Sequence, residues 1–113
     1  MLILICGLPR AGKTTYSKQF ENDYKIIHTD NYDTIDKAIA QIGDLDNVVI
    51  EGVFNSFLQR KAIIQAYKGN KTKCIWLNTP KEIREKREHY SHLTDRKFNP
   101  PTYDEGWDEI III

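Results

Sequence analysis

The sequence predicts a doubly wound α/β protein: one domain, residues 1–113, around a parallel sheet of about five strands in the order 2-3-1-4-5. Three observations lead there. Short apolar runs alternate with helical patterns over brief connections, the signature of a parallel sheet built from strand–helix–strand units. The first run, Leu2-Ile3-Leu4-Ile5-Cys6, is apolar on both faces, as a central parallel strand covered by helices on either side must be. A chain of 113 residues supports one hydrophobic core and no accessory domain.

The elements follow in order. The first strand runs into Gly7–Thr14, after which Lys13 to Phe20 reads as a helix. Lys25-Ile26-Ile27-His28 is a short second strand that ends just before Asp30. Ile35, Ala38, Ile39 and Ile42 fall at i, i+3, i+4 and i+7 and so share one helical face, and Gly43 is placed to stop that helix. Asn47-Val48-Val49-Ile50 is the third strand, ending at Glu51-Gly52. Ser56-Phe57-Leu58-Gln59 has the capping-box form S-x-x-Q and opens a helix to about Tyr67, before Gly69-Asn70. Cys74-Ile75-Trp76-Leu77 is the fourth strand. Thr79-Pro80-Lys81-Glu82 is a second box, T-x-x-E, with proline at the first helical position. The helix it starts, through Ile83-Arg84-Glu85-Lys86-Arg87-Glu88-His89, is charged on nearly every side and is expected to be exposed. Phe98 to Gly106 is a proline-containing loop, and Trp107 to Ile113 a final strand.

Sixteen charges of each sign cancel, so no global basic field exists to hold nucleic acid non-specifically. Any polynucleotide contact must be local. Cys6 and Cys74 belong to no C-x-x-C pair or Cys/His cluster and read as reduced, buried thiols of an intracellular chain. The first apolar run is too short for a signal-peptide core and lacks a basic leader, and no stretch approaches membrane-spanning length. The expectation is a soluble, cytoplasmic protein.

Gly7-Leu8-Pro9-Arg10-Ala11-Gly12-Lys13-Thr14 satisfies the phosphate-loop (P-loop) pattern G-x-x-x-x-G-K-[ST] at every fixed position. The glycines let backbone N–H groups wrap an anion, Lys13 reaches the β- and γ-phosphates, and the Thr14 hydroxyl can ligate Mg²⁺. The ligand class is a nucleoside triphosphate, with Gly7 through Thr14 and the adjoining Thr15 as its binding residues. Because parallel sheets bind ligands at the carboxyl ends of their strands, three further positions matter. Asp30 follows the second strand and could accept a proton from an attacking hydroxyl; a helix cap or surface turn is the competing role. Glu51 follows the third strand in the form of a Walker B carboxylate, a Mg²⁺-side group. Arg84 and Arg87, three apart on one helical face, could close over the nucleotide and neutralise the transferring group, although such helices are commonly just solvated faces. Arg10 lies against the nucleotide or points to solvent. His89 and His92 have metal-pair spacing but no third ligand and are read as surface residues. Trp76 and Trp107 are read as core or sheet-edge residues rather than base-stacking platforms.

With these positions in order, the chain resembles a P-loop kinase of the polynucleotide 5′-hydroxyl kinase type, in a shortened form. The resemblance runs through Gly7 to Thr15; His28-Thr29-Asp30-Asn31-Tyr32; Val48-Val49-Ile50-Glu51-Gly52-Val53-Phe54-Asn55 with Arg60; Trp76-Leu77-Asn78-Thr79-Pro80 leading to Arg87; and Arg96-Lys97-Phe98-Asn99-Pro100-Pro101-Thr102-Tyr103-Asp104-Glu105-Gly106-Trp107-Asp108-Glu109-Ile110. The last segment is similar to the pattern that closes the kinase domain of polynucleotide kinase-phosphatases. The resemblance implies Lys13 and Thr14 on phosphates and Mg²⁺, Asp30 as general base, and Arg87 as a lid arginine. Two departures touch the acceptor side. The connection from Asp30 to Val48 is only one short helix, and the second lid arginine expected four residues past Arg87 is Ser91, which leaves Arg84 or Arg96 to substitute.

The sequence therefore leads to an ATP- and Mg²⁺-dependent kinase transferring the γ-phosphoryl group to a hydroxyl, foremost the 5′-hydroxyl of a DNA or RNA end. A nucleoside or nucleotide kinase and a nucleotide-dependent binding module with little turnover stand as alternatives.

Overall fold

A computed structural model describes residues 1–87 and 90–113. Its sheet is five-stranded in the order β2-β3-β1-β4-β5, as expected. The strands are β1 (Leu2–Cys6), β2 (Lys25–His28), β3 (Val48–Gly52), β4 (Thr72–Trp76) and β5 (Glu109–Ile112), and the helices α1 (Lys13–Ser17), α2 (Ile35–Ala40), α3 (Phe57–Ala66) and α4 (Lys81–Arg84). A 3-10 turn, Lys18–Phe20, extends α1, and others span Thr29–Asn31, His92–Thr94 and Tyr103–Glu105. Each strand pair is parallel, with Ile5 of β1 opposite Glu51 of β3 and Ile75 of β4.

β1 lies at the centre, and its side chains explain its unbroken apolar character. Leu2, Leu4 and Cys6 enter the core shared with Ala38, Ile42, Phe54, Ile63 and Trp107, on the α2 and α3 side. Ile3 and Ile5 enter the opposite core with Ala11, Val49, Ile75 and Leu77, against Tyr16 and Phe20. Each such fully buried Leu or Ile contributes about 1.5–3 kcal/mol. Cys6 and Cys74 are free and buried, as expected. Their sulfurs are 3.8 Å apart. That contact and burial hold the Cys74 thiol far above the ordinary thiol range, so it stays protonated.

Several boundaries differ from expectation. β3 runs through Glu51 and Gly52, because Glu51 pairs in register with His28 of β2 and does not follow the strand. β5 begins only at Glu109. The helix expected through His89 is one turn, Lys81–Arg84, followed by turns at Glu85 to Arg87. It is not exposed all round, since Arg84 turns inward and is 3% exposed. His89 lies outside the described residues; His92 is exposed. Trp107 is buried, and Trp76 stacks on Phe98 with ring centroids 5.2 Å apart. No helix among the described residues is long and apolar enough to cross a membrane.

Of the two expected capping boxes, one forms in half and the other is diverted. Ser56 Oγ does accept from the Gln59 N–H, at 3.3 Å, but the buried Gln59 Oε1 gives nothing back and has no partner among the described residues. Thr79 does not cap α4; its hydroxyl donates to the Ala11 carbonyl at 2.8 Å, across to the phosphate loop. A T-x-x-E pattern that the sequence analysis passed over, Thr102 to Glu105, makes a working box: Glu105 Oε2 accepts from the Thr102 N–H at 3.0 Å.

Candidate functional site

At the carboxyl edge of the sheet, a cleft of about 790 Å³ is lined by residues 9–15 together with Tyr16, Asp30, Glu51, Thr79, Arg87 and Ile113. It thus gathers most of the site residues expected from sequence: Pro9, Arg10, Ala11, Gly12, Lys13, Thr14 and Thr15 of the loop, the two carboxylates, and Arg87. Gly7 and Leu8 give the loop its base, and their carbonyls each accept from Lys13 Nζ at 3.0 Å.

Sequence makes the loop's sharp geometry possible at two glycines. A Cβ on Gly7 would lie 2.7 Å from the Leu77 carbonyl oxygen, too close for any side chain. Gly12, which precedes α1, has φ 99, a left-handed conformation costly for residues with a Cβ. Arg10 also has positive φ, 66, and carries that strain without glycine's freedom. Its carbonyl accepts from Arg87 Nη1.

Three further loop carbonyls are held one by one. Pro9 accepts from Arg84 Nη1 at 3.3 Å, Arg10 from Arg87, and Ala11 from Thr79. In a trans peptide the next N–H points opposite to the carbonyl. Arg84, which holds the Pro9 carbonyl, is buried and does not line the cleft, so the N–H of Arg10, a cleft-lining residue, is turned to the other side. A backbone N–H with the cations of Arg10, Lys13 and Arg87 beside it suits an anion.

Burial lowers the Lys13 pKa, while the Glu51 and Asp30 carboxylates pull it back up. A polyphosphate in the cleft would favour its charged form further. Glu51 is 3% exposed, and its Oε1 lies 2.8 Å from His28 Nδ1. With the carboxylate ionised, the imidazole N–H is the donor, which orients Glu51 from the neighbouring strand. Nothing local to His28 marks it for this role; strand register brings the two together. The Thr14 hydroxyl and the Glu51 carboxylate both line the cleft, and as hard oxygen donors they suit Mg²⁺ completed by phosphate and water.

Arg84 sits elsewhere than expected. It lies behind the loop, where Nη1 and Nη2 meet Asp95 Oδ1 and Oδ2 at 2.6 and 3.3 Å and Nε donates to the Thr79 carbonyl at 3.2 Å. A guanidinium committed in those directions cannot close over a ligand; of the two expected lid arginines, only Arg87 borders the cleft.

Asp30, exposed in the Thr29–Asn31 turn, also lines a second, smaller cleft of about 220 Å³. Tyr32, Asp33, Phe54, Asn55, Gln59 and Arg96 form much of its wall. Asp33 is exposed and takes Lys37 Nζ at 3.2 Å. Behind this cleft Arg60, fully buried, donates Nε to Glu105 Oε1 at 2.7 Å, Nη2 to Oε2 at 2.9 Å and Nη1 to the Phe54 carbonyl at 2.8 Å. Trp107 Nε1 also donates to Glu105 Oε1, at 3.0 Å. The closing Glu105-Gly106-Trp107 pattern thus holds Arg60 and, through it, the carbonyl of Phe54, which lines the cleft. Burial alone would push the Glu105 pKa up; the bonds from Arg60, Trp107 and Thr102 overcome this and hold it below the usual glutamate range.

No protein-family model matches the chain, and comparison with curated proteins finds no match.

Proposed function

We propose that this chain is an ATP-dependent kinase that transfers the γ-phosphoryl group to an alcohol, with the 5′-hydroxyl of a DNA or RNA end as the leading acceptor. One observation carries the reading: Asp30 borders both clefts, so a carboxylate stands where a donor in the phosphate-loop cleft would meet a hydroxyl in the smaller one. A nucleotide-dependent binding module has no need of a base at that junction.

In this reading the loop N–H groups, Lys13 and Arg87 hold the triphosphate, and Asp30 accepts the proton of the attacking hydroxyl as its oxygen bonds to the γ-phosphorus and the bond to the β-phosphate oxygen breaks. ADP leaves with that bridging oxygen. Thr14 and Glu51 would hold Mg²⁺, which when bound neutralises charge on the phosphate oxygens. The nucleic-acid acceptor rests on the resemblance to polynucleotide 5′-hydroxyl kinases. The size of the second cleft, about 220 Å³, favours a single nucleoside or nucleotide as the competing acceptor.

The test is transfer from γ-labelled ATP to 5′-hydroxyl DNA and RNA oligonucleotides, nucleosides and nucleoside monophosphates. Asp30→Ala should lower transfer by about 10²–10⁴-fold while ATP affinity holds. Labelling of monomers alone overturns the polynucleotide acceptor. Binding of ATP with no acceptor labelled at all points to the binding module.

A further inference from the structure

The donors that hold the Pro9, Arg10 and Ala11 carbonyls of the phosphate loop are not equivalent. Thr79 and Arg87 reach the Ala11 and Arg10 carbonyls from the rim of the cleft, whereas Arg84 reaches the Pro9 carbonyl from a buried position. Arg84 is itself anchored from outside its helix. Asp95 takes both terminal nitrogens of its guanidinium, and the Tyr90 hydroxyl donates to Asp95 Oδ2 at 2.8 Å. A continuous chain of polar contacts therefore runs from Tyr90 through Asp95 and Arg84 to the backbone of the loop.

We propose that Arg84 is a positioning residue of the donor site, and that the Asp95–Arg84–Pro9 chain holds the loop backbone in its anion-accepting form, so that the segment carrying Tyr90 and Asp95 sets the affinity for polyphosphate. The inference rests on the donor half of the proposed function and is independent of the acceptor. Three features carry it. The guanidinium makes contacts in different directions, to Thr79, Pro9 and Asp95, which a planar fork can satisfy together and an ammonium cannot. The carbonyl it holds belongs to the peptide whose N–H is that of Arg10, a residue lining the cleft. Arg10 has left-handed backbone, a conformation that needs outside support to persist. The Arg84 contact also keeps the Asp95 carboxyl ionised, below the usual aspartate range.

Titration calorimetry with magnesium tripolyphosphate and with magnesium ATP tests this on the whole chain, with thermal melts run beside it. Asp95→Asn and Arg84→Lys should each weaken both ligands about tenfold, and the double variant should weaken them no further, because both break one chain. Tyr90→Phe, which removes one bond from a half-buried ring, should weaken both about two- to threefold and leave folding intact. A part confined to stability would lower the melting temperature and leave the affinity of the folded protein unchanged. Should Asp95→Asn or Arg84→Lys fail to fold, Tyr90→Phe decides. A folded variant of the chain that binds tripolyphosphate as tightly as wild type overturns the inference and leaves the kinase reading standing. Wild-type protein that binds neither ligand overturns the donor reading, and this inference with it.

Discussion

The two clefts that meet at Asp30 each lean on an arginine–carboxylate pair, but they differ in how much of their polar lining is already satisfied. Around the phosphate loop, Lys13, Arg84, Arg87 and Thr79 between them hold the carbonyls of five successive residues, Gly7 to Ala11. The smaller cleft has a buried ion pair behind one of its lining residues, Phe54. Arg60 and Glu105 pair at 0% and 1% side-chain exposure, and Arg60 holds the carbonyl of the cleft-lining Phe54, yet the buried Gln59 Oε1 has no partner among the described residues. A region whose carbonyls are spoken for is preorganised to offer its N–H groups to one kind of ligand, an anion in the function proposed above. A region with a spare acceptor has left part of its hydrogen bonding to something else.

The sharpest way to break this contrast is at the buried ion pair. Arg60→Met leaves Glu105 buried without its main partner and should cost about 3–5 kcal/mol in urea unfolding. Its pH dependence should change sign. In the wild type the folded pKa of Glu105 lies below the unfolded value near 4.5, so its contribution is fully present above that pH and is lost as pH falls through the lower folded value. Without Arg60 burial prevails and raises the folded pKa, so the variant should gain stability as pH falls toward 4.5. Urea midpoints between pH 7 and about 4 separate the two cases; parallel curves would mean that Arg60 does not govern Glu105.

The donor side should respond differently, in turnover and not in folding. Arg87 is exposed, so Arg87→Ala should leave the urea midpoint near wild type while reducing phosphoryl transfer by about 10²-fold. Lys86, its exposed neighbour, should tolerate alanine with a change within about twofold. Equal mild effects of both would remove Arg87 from the site and leave the cleft with Lys13 and Arg10 as its cations.

Why these roles differ in how well sequence announces them is a matter of range. The sheet was legible because each strand is a local apolar run between turn residues, and β1 could be seen as central from its two apolar faces alone. The phosphate loop was legible because its chemistry is contiguous. Arg60 and Glu105 are forty-five residues apart, and nothing local to either marks a pair. Arg84 read as a lid residue because it lies three residues before Arg87 on one helical face; its burial depends on Asp95 and the Pro9 carbonyl, which only folding brings near. His28 and Glu51 became a pair only once β2 and β3 were in register. Thr79 shows the same limit from the other side: its local pattern promised a cap, and a carbonyl 68 residues away took the hydroxyl instead.

The smallest expected effect tests the smaller cleft directly. Leaving a buried carbonyl oxygen unpaired costs about 1–3 kcal/mol, so Gln59→Leu, similar in size and without the amide, should raise stability by about 1 kcal/mol in the free protein. If that oxygen is held for a hydrogen-bond donor on the alcohol substrate, the same variant should raise the KM for that alcohol several-fold, with kcat and the KM for ATP near wild type. The two readouts pull apart the two explanations of one unpaired atom. A gain in stability with an unchanged acceptor KM would make Gln59 a packing residue whose polar end is simply a cost. A gain in stability bought with acceptor affinity would mean that the fold keeps this oxygen unpaired for the substrate, which is the difference between the clefts stated in kinetic form.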